Sequence, residues 1–152
     1  MDSHNTRTTG VDILLVEDDP HDLELTLRAL KSTGTHYNTV SVRDGVEALD
    51  YLFVDGKAVF ESIHDLPRLM LVDLKLPRVT GLELIKTVKE HSVLNIIPIV
   101  VFSSSNQEQD IVTAYKNGAN SYIIKPVRFE NYSNIIASIT TYWLSVNRFI
   151  NK

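Results

Sequence analysis

Five short apolar runs alternate with five amphipathic segments along this chain, and that alternation constrains the fold more than any other feature. Ile13-Leu14-Leu15-Val16, Leu69-Met70-Leu71-Val72 and residues 97–102 are apolar throughout and carry no helical period. Such runs read as strands buried on both faces. Thr39-Val40-Ser41-Val42 and residues 121–124 are weaker runs of the same kind. Between them, Leu23, Leu27 and Leu30 mark one helical face, introduced by Asp19 as an N-cap and Pro20 at the first helical position. Val46, Leu49, Leu52 and Phe53 mark a second helix, and Leu82, Ile85 and Val88 a third after Gly81. Residues 107–117 form a more polar fourth helix that stops at Gly118, and a fifth runs from Arg128 nearly to the C-terminus. Strand–helix units repeated five times predict a doubly wound α/β fold around a five-stranded parallel sheet.

A length of 152 residues suits one such domain. Residues 1–10 are polar and expected to be poorly ordered, residues 11–141 to form the domain, and residues 142–152 a C-terminal helical extension. The net charge of -4 argues against a general grip on nucleic acid. No apolar run reaches the ~20 residues of a membrane helix, so the cytoplasm is the expected location. The absence of cysteine excludes disulfides, thiolate metal sites and a cysteine nucleophile. The five histidines are scattered, with no metal-ligand spacing.

In a doubly wound sheet the ligand site lies beyond the carboxyl ends of the strands. Glu17 and Asp18 follow the first strand, Asp73 the third, Ser103 the fourth, and Lys125-Pro126 the fifth. Three carboxylates converging at one edge repel one another, and a divalent cation is the simple resolution. Hard oxygen ligands with room for water suit Mg2+. A lysine and a hydroxyl beside them suit a transferred phosphoryl group, whose oxygens need donors and positive charge. Each residue also has a plainer reading. Glu17, Asp18 and Asp19 could form a solvated acidic turn, and Asp19 is best read as only a cap. Asp73 could be a turn residue before Pro77, Ser103 a cap for the fourth helix (where Ser105 is better placed), Lys125 a surface lysine, and Tyr122 half-buried core.

Taken in order, LLVEDD, VDLKLP, VVFSSS and IIKP resemble the receiver domain of bacterial response regulators, a CheY-like, flavodoxin-like fold. The likeness runs from about Asp12 through the fifth helix. It implies that Asp73 accepts a phosphoryl group from a histidine kinase and that Asp18, Asp73 and the backbone carbonyl of Lys75 bind Mg2+, with Glu17 acting through water. It further implies that Ser103 and Lys125 contact the phosphoryl oxygens, that Ser103 and Tyr122 act as the switch, and that the Lys125–Pro126 bond is cis. Such a protein catalyses its own phosphorylation and dephosphorylation and has no turnover on an outside substrate. Two departures stand out. Glu17-Asp18 replaces the commoner Asp-Asp, and Lys75 replaces a common Asn or Asp, which puts the phosphate lifetime in question.

The connection over residues 54–67 is longer than usual for such a fold. A straight helix over residues 128–151 would measure about 36 Å and overhang the sheet. Its distal residues Trp143, Val146, Phe149 and Ile150 would then be a candidate dimer interface. These features resemble the small response regulators of phytochrome-type histidine kinases, which implies such a kinase as phosphodonor and a homodimer, with no nucleic acid and no membrane as partner. Four alternatives remain: the receiver of a non-light kinase, a haloacid-dehalogenase-like phosphatase, a DNA-binding regulator, and a phosphate-independent interaction domain, which usually lacks the acceptor or the lysine. The second lacks its usual acid at position 75, and the third would need a further module after the fifth helix.

Overall fold

The computed structural model describes residues 10–60 and 62–150. Its sheet carries the strands in the order β2 (Thr39–Val42), β1 (Ile13–Val16), β5 (Leu69–Val72), β6 (Ile99–Ser103) and β7 (Ser121–Ile124). All four pairings are parallel. The three central strands are fully buried, whereas β2 and β7 are edge strands with half-exposed residues. That is why the three solid apolar runs lie in the middle and the two weaker ones at the edges.

Helices α1 (Pro20–Ser32) and α5 (Phe129–Thr141) cover one face. Beneath them lie Ile13, Leu15, Leu69, Leu71, Val100 and Phe102, with Tyr132 and Ile136 pointing down from α5. Helices α2 (Gly45–Leu52), α3 (Gly81–Glu90) and α4 (Glu108–Lys116) cover the other, over Leu14, Val16, Met70, Val72, Ile99 and Val101. Alternate residues of each strand therefore feed two separate cores.

The long connection before β5 contains an antiparallel hairpin, β3 (Phe53–Val54) and β4 (Lys57–Ala58), and a 3-10 turn at Ile63–Asp65. Asp55 and Gly56 both have positive φ, at 51° and 78°, the geometry of a tight hairpin turn. Among the described residues every peptide bond is trans, Lys125–Pro126 included, contrary to the cis bond expected there. The trans bond already lets the Lys125 side chain reach the carboxyl edge of the sheet, as described below.

The last helix extends beyond the sheet but not as one straight rod. After Thr141 it widens into a π-turn, Tyr142–Val146, closed by the Asn147 amide on the Tyr142 carbonyl, and residues 147–150 leave the helix. The wider turn brings Leu144 into the core beneath α1 and α5. Arg68 donates to the Leu144 carbonyl and to Asp12 Oδ1 at 3.2 Å, tying this segment to the amino edge of the sheet. Burial of Leu144 and this tie outweigh the continuation of a regular helix. Trp143 is consequently half-buried, and Phe149 and Ile150 partly so, while Val146 stays 66% exposed.

Candidate functional site

Register brings the chemistry together. Val16 is paired with Val72, so Glu17 and Asp73 leave adjacent strands side by side. The sheet's hydrogen bonding runs on past the strand ends: the Glu17 amide donates to Val42, the Asp73 amide to Val16, and the Lys125 amide to Ser103. Three residues that carry the charge are thus fixed through their own backbone. Gly81 permits close packing behind Asp73, since a Cβ there would lie 2.2 Å from the Asp73 carbonyl.

The Lys125 ammonium sits at the centre. It donates to Glu17 Oε1 at 2.7 Å, to Asp22 Oδ2 at 2.9 Å and to Asp73 Oδ2 at 2.9 Å. An ammonium has three protons, and all three are used. The other Asp73 oxygen accepts from the Leu74 amide at 2.7 Å, which fixes the plane of the carboxylate. Glu17 Oε2 accepts from the Asp19 amide at 3.1 Å. Burial and the neighbouring Asp73 charge push the Glu17 carboxyl up to about 7, against the pull of Lys125. Burial opposes the charge on Lys125, but Asp73, Asp22 and Glu17 outweigh it and hold its pKa above the ordinary lysine range.

Oxygens of Glu17, Asp22 and Asp73 lie within 4.8 Å of one another. This donor set, all hard carboxylate oxygens, fits a divalent cation of the Mg2+ class. The cluster includes Asp22, which sequence reasoning missed, and leaves out Asp18. Asp18 follows the buried Glu17 directly and is exposed, because successive side chains of an extended segment point to opposite sides. Lys75 is exposed on the loop after Asp73. Asp19 is the N-cap of α1, accepting from the His21 amide at 3.2 Å.

Ser103 is buried at the end of β6 and accepts from the Ser105 amide at 3.2 Å. Tyr122 is half-buried, and its hydroxyl donates to the Ser105 carbonyl at 2.8 Å beside Ser103. Burial raises the Tyr122 phenol above its ordinary range. Ser105 accepts from the Gln107 amide and donates to Asp110, which orders the turn leading into α4. The loop after Asp73 is held by Arg78, which donates to Asp44 Oδ2 through Nε at 3.2 Å and Nη2 at 2.6 Å. Arg78 has φ 67°, a left-handed conformation that persists only when surroundings impose it. Hydrogen bonding from the Glu47 amide, aided by Arg78, holds the Asp44 carboxyl below its ordinary range.

The response regulator receiver domain model matches residues 13–137, and the chain belongs to that family. It is a receiver of the two-component phosphorelay type, a signalling domain whose partners are histidine kinases. Among similar proteins, the probable methanogenesis regulatory protein FilR2 of Methanothrix harundinacea is 40% identical over 90% of this chain and 85% of its own. Response regulator Rcp1 of Synechocystis sp. is 32% identical over 87% and 88%. A Mn2+-bound crystal structure of response regulator Rcp1 superposes with a TM-score of 0.77 at 29% identity, covering 91% of this chain and 98% of that one. The phosphorylated cyanobacterial phytochrome response regulator RcpA superposes with a TM-score of 0.82 at 36% identity, covering 92% and 98%. Among the described residues no helix is long and apolar enough to cross a membrane.

Proposed function

We propose that Asp73 takes a phosphoryl group from the phosphohistidine of a phytochrome-type histidine kinase, in a Mg2+-dependent reaction that the chain itself catalyses. The observation that carries this reading is the fixed Asp73 carboxylate, one oxygen on the Leu74 amide and the other on the Lys125 ammonium. An Asp73 oxygen forms the new bond to phosphorus, the bond from phosphorus to the kinase imidazole breaks, and the imidazole nitrogen ends with a proton. Lys125 and the Ser103 hydroxyl then serve the phosphoryl oxygens. Glu17 and Asp73, with Asp18 and the Lys75 carbonyl at the rim, would hold the cation, which supplies positive charge to those same oxygens. Labelling by acetyl phosphate should require Mg2+, stop on chelation, and vanish in Asp73→Asn. An acid-stable label undiminished in that variant would overturn the assignment.

The signal leaves through Ser103 and Tyr122 in this reading. A pull of Ser103 toward the phosphoryl group drags the Ser105 carbonyl, and Tyr122 is bonded to that carbonyl. The output is a change in association. Trp143, Val146, Phe149 and Ile150 are the interface, and a second copy is the partner. Val146→Glu should lower the dimer fraction at tens of micromolar, measured by light scattering, without loss of helix. An unchanged dimer would move the interface to Val112, Tyr115, Ile124 and Val127, which are exposed on α4, β7 and the following loop. The likeness to FilR2, whose name refers to methanogenesis, favours a second reading of the donor, a kinase with a chemical signal. Phosphotransfer from a phytochrome kinase and from a non-light kinase, compared side by side, separates the two.

A further inference from the structure

We infer that Asp22 is a positioning residue for Lys125, the anchor that keeps the ammonium in place while the other two carboxylates are claimed by the reaction. This rests on the reading of Lys125 and Asp73 given above. The three bonds of Lys125 are not equivalent in what happens to them. Glu17 and Asp73 sit at adjacent strand ends, and a cation bound there competes with the ammonium for their oxygens. Once Asp73 is phosphorylated, its bonded oxygen is an ester-type acceptor, weaker than a carboxylate oxygen, and the ammonium turns to the phosphoryl oxygens. Asp22 comes from a different element, the first turn of α1. Its side chain is 26% exposed, against 3% for Glu17 and 11% for Asp73.

Asp22 is itself held. Its backbone carbonyl accepts from Thr26 Oγ1 at 2.9 Å and lies 3.3 Å from the Tyr132 hydroxyl. Tyr132 is 2% exposed on α5 and also bonds Thr26 at 2.9 Å. The grip on Lys125 is therefore braced by a buried contact between α1 and α5. With Glu17 and Asp73 engaged elsewhere, Asp22 keeps Lys125 beside the phosphoryl oxygens and out of solvent.

The direct test is the Lys125 ammonium signal by 1H–15N NMR in metal-free protein. Asp22→Ala should broaden or shift it through faster exchange with water, and Asp22→Asn, which keeps an acceptor oxygen, should move it less. The functional test is a double-mutant cycle. Asp22→Ala should slow labelling by acetyl phosphate about tenfold, the scale of one charged hydrogen bond, with Asp22→Asn in between. In a Lys125→Met background the same change should cost less than twofold. An unaltered ammonium signal overturns the inference. So does an equal loss in both backgrounds, which would mean that Asp22 acts through the cation or the fold. Melting temperatures of each variant identify loss of fold, and Asp73→Asn in parallel separates failure of this inference from failure of the acceptor assignment.

Discussion

The two edges of the sheet each carry a basic side chain paired with acid, and they are built to opposite ends. At the amino edge, Arg68 meets Asp12 Oδ1, Asp12 Oδ2 accepts from the Asn38 amide at 2.8 Å, and the Arg68 guanidinium also donates to the Leu144 carbonyl. One positive charge faces one negative charge. At the carboxyl edge, one ammonium faces three carboxylates, with the exposed Asp18 following Glu17 in sequence. The first arrangement is balanced and serves the fold, tying β1, β2 and the C-terminal segment together. The second carries excess negative charge, which favours a cation and leaves the side chains ready to exchange partners. A buried ion cluster that is not neutral costs stability unless something completes it.

That contrast can be broken at its structural end first. Arg68→Ala should cost about 1–3 kcal/mol, because it leaves the Asp12 charge without its partner and the Leu144 carbonyl without a donor. The melting temperature should fall by several degrees, and the C-terminal segment should exchange amide protons faster, while labelling of Asp73 stays within about twofold. A large loss of labelling with little loss of stability would show that the two edges are not independent.

The same contrast explains what the sequence disclosed. The three central strands were legible because an uninterrupted apolar run such as Leu69-Met70-Leu71-Val72 has few other uses, and the two edge strands only as weaker runs in the same alternation. Glu17, Asp73, Ser103 and Lys125 were legible because strand ends and the parallel topology place them at one edge. Asp22 was not, since an acid in the first turn of a helix is ordinary complementation of the helix dipole; only its distance to Lys125 distinguishes it. The direction of Asp18, exposed beside the buried Glu17, was not legible, because adjacency in sequence does not imply a shared direction in space. The β3–β4 hairpin had a signal, Asp55-Gly56, but its strands are two residues each, too short for periodicity to register. The end of the last helix depended on Arg68 and Leu144, a contact across 76 residues to which helical periodicity is blind.

A subtler effect sharpens the comparison at the carboxyl edge. Burial and the Asp73 charge raise the Glu17 carboxyl from 4.5 to about 7 in the folded protein, so between those pH values the folded chain holds a proton that the unfolded chain has released. Stability from this group is therefore fully present below about pH 4.5 and is lost as the pH rises through 7. The metal-free protein should lose roughly 1 kcal/mol from this source across that window, less than the whole shift implies because a carboxyl among charged neighbours does not titrate as an isolated site. Glu17→Gln cannot titrate, so the difference in melting temperature between it and the unsubstituted protein should change with pH over that range and level off outside it. Saturating Mg2+ should flatten the difference, because a bound cation favours the ionised carboxylate at every pH in the window. Parallel curves for the two proteins without Mg2+ would mean that the excess negative charge is relieved by rearrangement in place of proton uptake. The carboxyl edge would then be more pliable than its short hydrogen bonds suggest.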